Sequence, residues 1–131
     1  MRRYPSEFTE RPRMLLAYAD AAYASECCRF FRRLGWEVQL VASGDEARVL
    51  AAEFQPDVIV LEDDLIDESG WQTSAKIASD DPTFRIVIVS DESSPYQRLR
   101  AAGAKQVVRR SHGAEGLAGV VLGPEVLSEA I

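Results

Sequence analysis

The stretch PDVIVLEDDLIDESG, residues 56–70, decides the fold of this chain. Its first part is a continuous apolar run, rich in β-branched residues, bounded by a proline and by an acidic loop. Such a run predicts a strand over 56–61 that is covered on both faces, and strands of this kind belong to parallel α/β sheets. Ligands of open α/β sheets bind just beyond the carboxyl ends of the strands. Glu62, at the end of this strand, therefore lies where chemistry is expected.

Alternating strand and helix patterns lie on both sides of this stretch. Short apolar runs predict further strands over 14–18, 36–40, 85–90 and 106–109. Apolar residues at helical spacing predict helices over 24–34, 43–54, 71–78, 95–103 and 114–122. Five strand–helix units with short connections predict one α/β domain over 13–122, a doubly wound parallel sheet of five strands with helices on both faces. Residues 1–12 and 123–131 are interpreted as tails.

Two local patterns refine the second strand–helix unit. Trp36, Val38 and Leu40 alternate with polar residues, which predicts a half-exposed strand at an edge of the sheet. Ser43 and Glu46 have the spacing of a capping box, which predicts that the second helix begins there.

The charge and hydropathy of the chain exclude several classes of function. Its 131 residues carry a net charge of −6 with scattered basic residues, whereas nucleic-acid binding needs a clustered positive surface. No apolar run approaches the length of a membrane span, and the N-terminal region lacks the apolar core of a signal peptide. We therefore expect a cytoplasmic protein that binds neither nucleic acid nor membrane.

The two cysteines indicate buried thiols. Cys27 and Cys28 are adjacent, so a bridge between them would strain the backbone, and the chain has no third cysteine. A metal site built on them would also need His112, the only histidine, which is distant in sequence. We expect free thiols in a reducing compartment and no metal site at these residues.

Over residues 13–122 the chain resembles a response-regulator receiver domain of two-component signalling. In residues 56–70, Glu62 stands at the phosphoacceptor position and Gly70 at the glycine that ends the following loop. Ser90 in IVIVSDES stands where the family has a threonine or serine that contacts the phosphate, and Arg110 in GAKQVVRRS where it has a lysine. The resemblance implies a flavodoxin-like fold with strand order 2-1-3-4-5.

The chain departs from the family at the positions that carry the chemistry. Receivers have two acidic residues after the first strand, which hold magnesium together with the phosphoacceptor, and these positions fall on Tyr18 and Ala19. Asp20 lies one place later, where many relatives also have an acid. Glu62 replaces the acceptor and Arg110 the lysine. These five residues with Ser90 form a degenerate phosphoacceptor pocket.

Three further departures lie around this pocket. Ile66 stands at a family proline, Val107 at an aromatic switch residue, and Ser111 at the proline after the lysine. Because phosphoryl transfer depends on magnesium and on positioning, we expect a domain that has lost the reaction, has no cofactor and is not an enzyme. The alternative is a working magnesium-dependent phosphoacceptor in a phosphorelay, with Asp20, Glu62 and Asp64 gathering the ion. Flavin or nucleotide binding is disfavoured, because the first turn, ADAAYASE, has no glycine.

The resemblance brings Arg110 close to Glu62 and predicts an ion pair between them. The alternative is that both side chains point to solvent. The acids of the next loop, from Asp63 to Glu68, are interpreted as solvated, with a relocated metal site as the alternative.

With a disabled pocket, a stand-alone, phosphorylation-independent module that docks to another protein is the leading hypothesis. The family commonly docks or dimerises through its fourth helix, fifth strand and fifth helix. The residues predicted for this docking face are Tyr96, Gln97, Leu99, Arg100, Lys105, Gln106 and Arg109. The expected partner is another signalling protein, such as a histidine kinase or an output protein, and a homodimer is a further alternative.

Overall fold

The computed structural model describes residues 11–93 and 96–123. Five parallel strands form one sheet in the order β2-β1-β3-β4-β5. They are β1 (Arg13–Ala17), β2 (Glu37–Val41), β3 (Val58–Glu62), β4 (Ile86–Val89) and β5 (Gln106–Val108). The predicted doubly wound sheet and its strand order are confirmed.

Helices follow each strand, within a few residues of the predicted bounds. They are α1 (Ala21–Arg33), α2 (Gly44–Phe54), α3 (Gly70–Asp80), α4 (Tyr96–Ala102) and α5 (Gly113–Leu122), with a 3-10 turn at Arg110–His112 before α5. Gly35 follows the end of α1 with a φ of +92°, a conformation that glycine adopts without a steric cost. The predicted start of α4 at Pro95 lies outside the described residues.

The sheet buries one apolar cluster on each face. Alternate residues of the central strands join α1 and α5 on one face, and the others join α2, α3 and α4 on the other. All five residues of β3 are buried, as its sequence predicts for a central strand covered on both sides. The last of these is Glu62, an ionisable residue at the end of an apolar strand.

The register of the strands aligns their carboxyl ends at one edge of the sheet. Ala17 of β1 pairs with Leu61 of β3, and Glu62 pairs with Val89 of β4. Val89 in turn pairs with Val108 of β5. The segments that follow β1, β3, β4 and β5 therefore meet at this edge, which is where ligands of such sheets bind.

The predicted edge position of β2 and the predicted start of α2 at Ser43 are confirmed, and each needs one correction in detail. Leu40 is 37% exposed whereas Val41 is buried, because β2 lies at the sheet edge and the helices cover only part of it. At the start of α2, the Glu46 amide donates to Ser43 Oγ, but the Glu46 carboxylate accepts from the same hydroxyl. The complete capping box instead begins α3, at Ser69 and Gln72.

Cys27 and Cys28 are both free and buried, as predicted. Burial raises the pKa of the Cys27 thiol to about 12, so this thiol stays protonated at neutral pH. No helix in the described ranges combines the length and the apolar composition that a membrane crossing requires.

Candidate functional site

The Glu62 carboxylate lies at the centre of the carboxyl edge and is completely buried, with 0% of its surface exposed. Its Oε2 atom accepts hydrogen bonds from the backbone amides of Ala19 and Asp20, both at 3.1 Å. Its Oε1 atom accepts from Arg110 Nε at 2.8 Å. The predicted ion pair is therefore present, and both carboxylate oxygens are engaged.

Arg110 connects Glu62 to two further carboxylates. Its Nη2 lies 3.1 Å from Asp63 Oδ1 and its Nη1 lies 3.5 Å from Asp91 Oδ2. Burial alone would lower the pKa of Arg110, but the hydrogen bond and charge of Glu62, with the charges of Asp63 and Asp91, raise it. The guanidinium is therefore a permanent cation that joins the loops after β3, β4 and β5.

Asp63 belongs to this site, although the sequence analysis interpreted it as part of a solvated loop. Ser90 Oγ donates to Asp63 Oδ2 at 2.6 Å, and the Glu92 amide donates to Ser90 Oγ at 3.2 Å. The Asp63 amide also donates to the Val89 carbonyl, which extends the pairing of β3 with β4 by one residue. The Ser90 hydroxyl therefore both donates and accepts a hydrogen bond within the protein.

The loop after β1 contributes backbone groups to the site. Tyr18 packs against the apolar cluster between the sheet and the helices α1 and α5. Ala19 meets Glu62 through its amide. Asp20 Oδ1 accepts from the amides of Ala22 and Tyr23, so its carboxylate caps α1. Sequence reasoning placed these residues in the pocket without assigning Asp20 its role as a helix cap.

The acidic loop is exposed at Asp64 and Asp67, as predicted, but Asp67 and Glu68 also bond to other parts of the chain. Asp67 accepts from the amides of Gly44 and Asp45 at the start of α2, and these bonds lower its pKa. Glu68 pairs with Lys76 and accepts from the Thr73 hydroxyl. Among residues 11–93 and 96–123, no group of three or more His, Cys, Asp or Glu side chains is arranged to hold a metal ion.

An open depression of about 520 Å³ lies over these side chains. Its lining residues are Ala19, Asp20, Glu62, Asp63, Asp64, Trp71, Glu92, Arg98 and Arg110. The Arg98 guanidinium lies 4.6 Å from the centre of the Trp71 ring, a cation–π contact that joins α4 to α3 at the rim. Gly70 is required beside it, because a Cβ there would collide with the Glu62 carbonyl oxygen.

The residues predicted for the docking face lie around α4 and β5. Lys105, Arg100 and Arg109 are exposed, Leu99 is half-buried, and the side chain of Tyr96 is outside the described part of the chain. A groove of about 560 Å³ runs between α4 and β5. It is lined by Ser90, Glu92, Ser93, Leu99, Lys105, Gln106, Val107 and Arg109. We call it the α4–β5 groove.

Acid is expected to weaken the contact of Asp91 with the turn before α5. Asp91 Oδ1 accepts from the Ser111 amide at 3.1 Å, and this bond lowers the Asp91 pKa in the folded protein. A carboxylate with a lowered folded-state pKa stabilises the protein above its unfolded pKa, and this stabilisation is lost as pH falls through the folded pKa. Asp91→Asn should therefore flatten the fall in stability below about pH 4, measured by urea unfolding at several pH values.

The matched control for this prediction is Asp64→Asn, which changes an exposed carboxylate outside the Arg110 network. If Asp91→Asn and Asp64→Asn both lose stability with the same pH dependence as the unchanged protein, Asp91 does not contribute to the fall in stability in acid.

Comparisons with known proteins agree with this geometry. The family model of the response regulator receiver domain matches residues 15–120. The chain therefore belongs to the response regulator receiver domain family, the receiver domains of two-component signalling. No curated protein matches its sequence.

Solved structures of this class share the fold. The chemotaxis protein CheY4 of Vibrio cholerae aligns with a TM-score of 0.79 at 20% identity, over 86% of this chain and 97% of that chain. A CheY-like receiver domain protein of Methanospirillum hungatei aligns with a TM-score of 0.79 at 19% identity, over 91% and 95%.

A third structure was solved in a phosphorylated state. A response regulator of Burkholderia pseudomallei, solved with a phosphorylated aspartic acid, a calcium ion and citrate, aligns with a TM-score of 0.72 at 22% identity. The alignment covers 91% of this chain and 72% of that chain. At these identities the likeness establishes the fold alone.

Proposed function

We propose that this receiver domain is a pseudo-receiver, which signals by docking to another protein without being phosphorylated. The observation that carries the proposal is the state of Glu62. Its carboxylate is fully buried, with Oε2 bonded to two backbone amides and Oε1 bonded to Arg110. A nucleophile must present an accessible oxygen to the phosphorus atom, whereas Glu62 is fully buried and both of its oxygens accept hydrogen bonds.

The surroundings of Glu62 support the same proposal. Magnesium needs oxygen ligands in a near-octahedral arrangement, and Tyr18 and Ala19 offer no carboxylate at the two positions after β1. The carboxylate of Asp20 is engaged in capping α1. The Arg110 guanidinium already supplies a positive charge at the pocket, where it pairs with Glu62 and Asp63.

The surface around α4 and β5 supports the docking part of the proposal. Arg109 Nη1 donates to the Asp91 carbonyl at 3.0 Å, which positions its guanidinium at the α4–β5 groove. Arg85 bonds to the last carbonyls of α5, at Val120 and Val121, and its Nη2 lies 3.4 Å from Gln106 Oε1. A face held in this way is suited to recognition by a signalling partner, such as a histidine kinase or an output protein.

Partner capture tests the proposal. The tagged protein is used to isolate binding partners from native cell extract, and the strongest is then titrated against purified variants. Tyr96→Ala combined with Arg100→Ala should weaken its binding by at least about tenfold, because Tyr and Arg are frequent binding anchors. Addition of magnesium and acetyl phosphate should leave the affinity of the unchanged protein unaltered.

The matched control is Arg29→Ala combined with Arg33→Ala, two exposed arginines of α1 on the other face of the sheet. Equal loss of binding in both double variants would contradict recognition through α4 and β5. Binding that requires the phosphodonor would favour the alternative of a working phosphoacceptor.

A further inference from the structure

Ile66 is an apolar side chain displayed to solvent by the loop between β3 and α3. Four large apolar residues are exposed in the described part of the chain, and Ile66 is the most exposed of them at 84%. An isolated exposed apolar residue is common, but Ile66 lies on a loop that is held by several hydrogen bonds. The Leu65 amide donates to the Glu68 carbonyl, and Asp64 forms a bridge with Ser69.

The neighbours of Ile66 hold it in place and surround it with negative charge. Asp67, the next residue, is bonded through its carboxylate to the first amides of α2, at Gly44 and Asp45. Asp45, Asp64 and Asp67 are exposed. Because the loop is already ordered, burying Ile66 against another surface would cost little conformational entropy. We call this feature the Ile66 knob.

The α4–β5 groove has the complementary composition. Leu99 and Val107 are half-buried apolar side chains that line it. Lys105 and Arg109 are its basic lining residues, against one acidic residue, Glu92. A groove of about 560 Å³ has room for a branched aliphatic side chain.

We propose that the Ile66 knob of one copy inserts into the α4–β5 groove of a second copy, with Lys105 and Arg109 facing the acidic residues around the knob. The inference rests on the proposed docking face, because it identifies one occupant of that face as the protein itself. Self-association would then cover the surface that other partners use, so that assembly and partner binding compete.

The two patches differ and lie apart on the chain, which determines the type of assembly. The knob lies beside the start of α2, whereas the groove lies beside α4, and α3 packs between these two helices. A contact between two different patches is heterologous, so it joins copies head to tail and leaves a free patch at each end. Short chains of copies are therefore expected, not a symmetric closed dimer.

Sedimentation velocity tests this contact directly. The unchanged protein should show an average mass that rises with protein concentration and falls with added salt, since opposite charges flank the contact. Ile66→Asp should weaken the self-association at least about tenfold, as should Lys105→Glu combined with Arg109→Glu. Val49→Asp, at an apolar residue of α2 that is 57% exposed, and Arg29→Glu combined with Arg33→Glu are the matched controls and should leave it unchanged.

Mixing the variants distinguishes head-to-tail contact from a symmetric one. The Ile66→Asp copy retains its groove, and the copy with Lys105→Glu and Arg109→Glu retains its knob. Their mixture should therefore form one-to-one dimers that grow no further, although each variant alone is monomeric. A mass independent of concentration for the unchanged protein, or a mixture that stays monomeric, would overturn the inference. If self-association fails in this way but partner binding still depends on Tyr96 and Arg100, the proposed function is retained and only the self-association is rejected.

Discussion

Replacing Arg110 with methionine is expected to lower the free energy of unfolding by about 3–5 kcal/mol, because the change leaves a buried charge without its partner. Glu62 has 0% of its surface exposed, and without Arg110 only the amides of Ala19 and Asp20 remain to stabilise its carboxylate. Methionine keeps the aliphatic bulk of arginine, so the loss reflects the charge and its hydrogen bonds. Urea unfolding at neutral pH measures the effect.

The reciprocal change, Glu62→Gln, should cost less, about 1–3 kcal/mol. The NH2 group of glutamine must point either toward Arg110 Nε or toward the amides of Ala19 and Asp20. In both orientations this hydrogen-bond donor faces another donor. Arg110 is 27% exposed and keeps Asp63 and Asp91, so its own charge remains compensated. The double variant should lose less than the sum of the single losses.

An exposed ion pair provides the matched control for this cycle. Arg48 and Asp80 form an ion pair in which both side chains are well exposed. Arg48→Met should change the free energy of unfolding far less than Arg110→Met does, because exposed ion pairs stabilise proteins little. If Arg110→Met costs no more than Arg48→Met, or if the Glu62 and Arg110 variants are additive, the two residues do not form a buried, coupled pair.

The second large effect is expected in phosphate uptake. The unchanged protein incubated with acetyl phosphate and magnesium should show no phosphate adduct by intact-mass measurement. The reason is that Tyr18 and Ala19 provide no carboxylate for magnesium and that Glu62 is fully buried with both oxygens hydrogen-bonded. Misplacement of a reacting group by about 1 Å can alone cost on the order of a hundredfold in rate.

A reconstructed variant gives this negative result its positive control. Tyr18→Asp, Ala19→Asp, Glu62→Asp and Arg110→Lys together restore the residue types that the family has at these positions, and this variant should take up one phosphate. Glu62→Asp alone should not, because the ligands for magnesium are still missing. A phosphate adduct on the unchanged protein that peptide mapping assigns to Glu62 would contradict the proposed function.

The fold could be predicted from the sequence because its signals are local. The apolar run of β3 and the helical spacing before Gly35 each arise within about a dozen residues, and they correctly indicated a parallel sheet with helices on both faces. The edge position of β2 was also predicted correctly, but the exposure of Leu40 was not, since it depends on how far the helices extend over the sheet.

The site was only partly predictable. The resemblance to receiver domains correctly brought Arg110 to Glu62 across 48 residues of sequence. It did not indicate that Asp63 would bind both Arg110 and Ser90, or that Asp67 would cap α2. The sequence around a loop carboxylate is similar whether the carboxylate faces solvent or accepts from a distant amide. Only the register of the strands and the path of the loop distinguish the two outcomes.

The amino-acid sequence by itself determined the strands, the helices, the order of the sheet and the identity of the side chains at the carboxyl edge. The strands and helices follow from hydrophobic periodicity, whereas the order of the sheet and the side chains at its carboxyl edge follow from the resemblance to receiver domains. Only the tertiary structure decided that both oxygens of Glu62 accept hydrogen bonds. The same holds for the exposure of Ile66 on a loop that is itself held by hydrogen bonds. A hydrogen bond tolerates changes of only a few tenths of an ångström in its donor–acceptor distance. Residues far apart in sequence are positioned that accurately only once the whole core is packed.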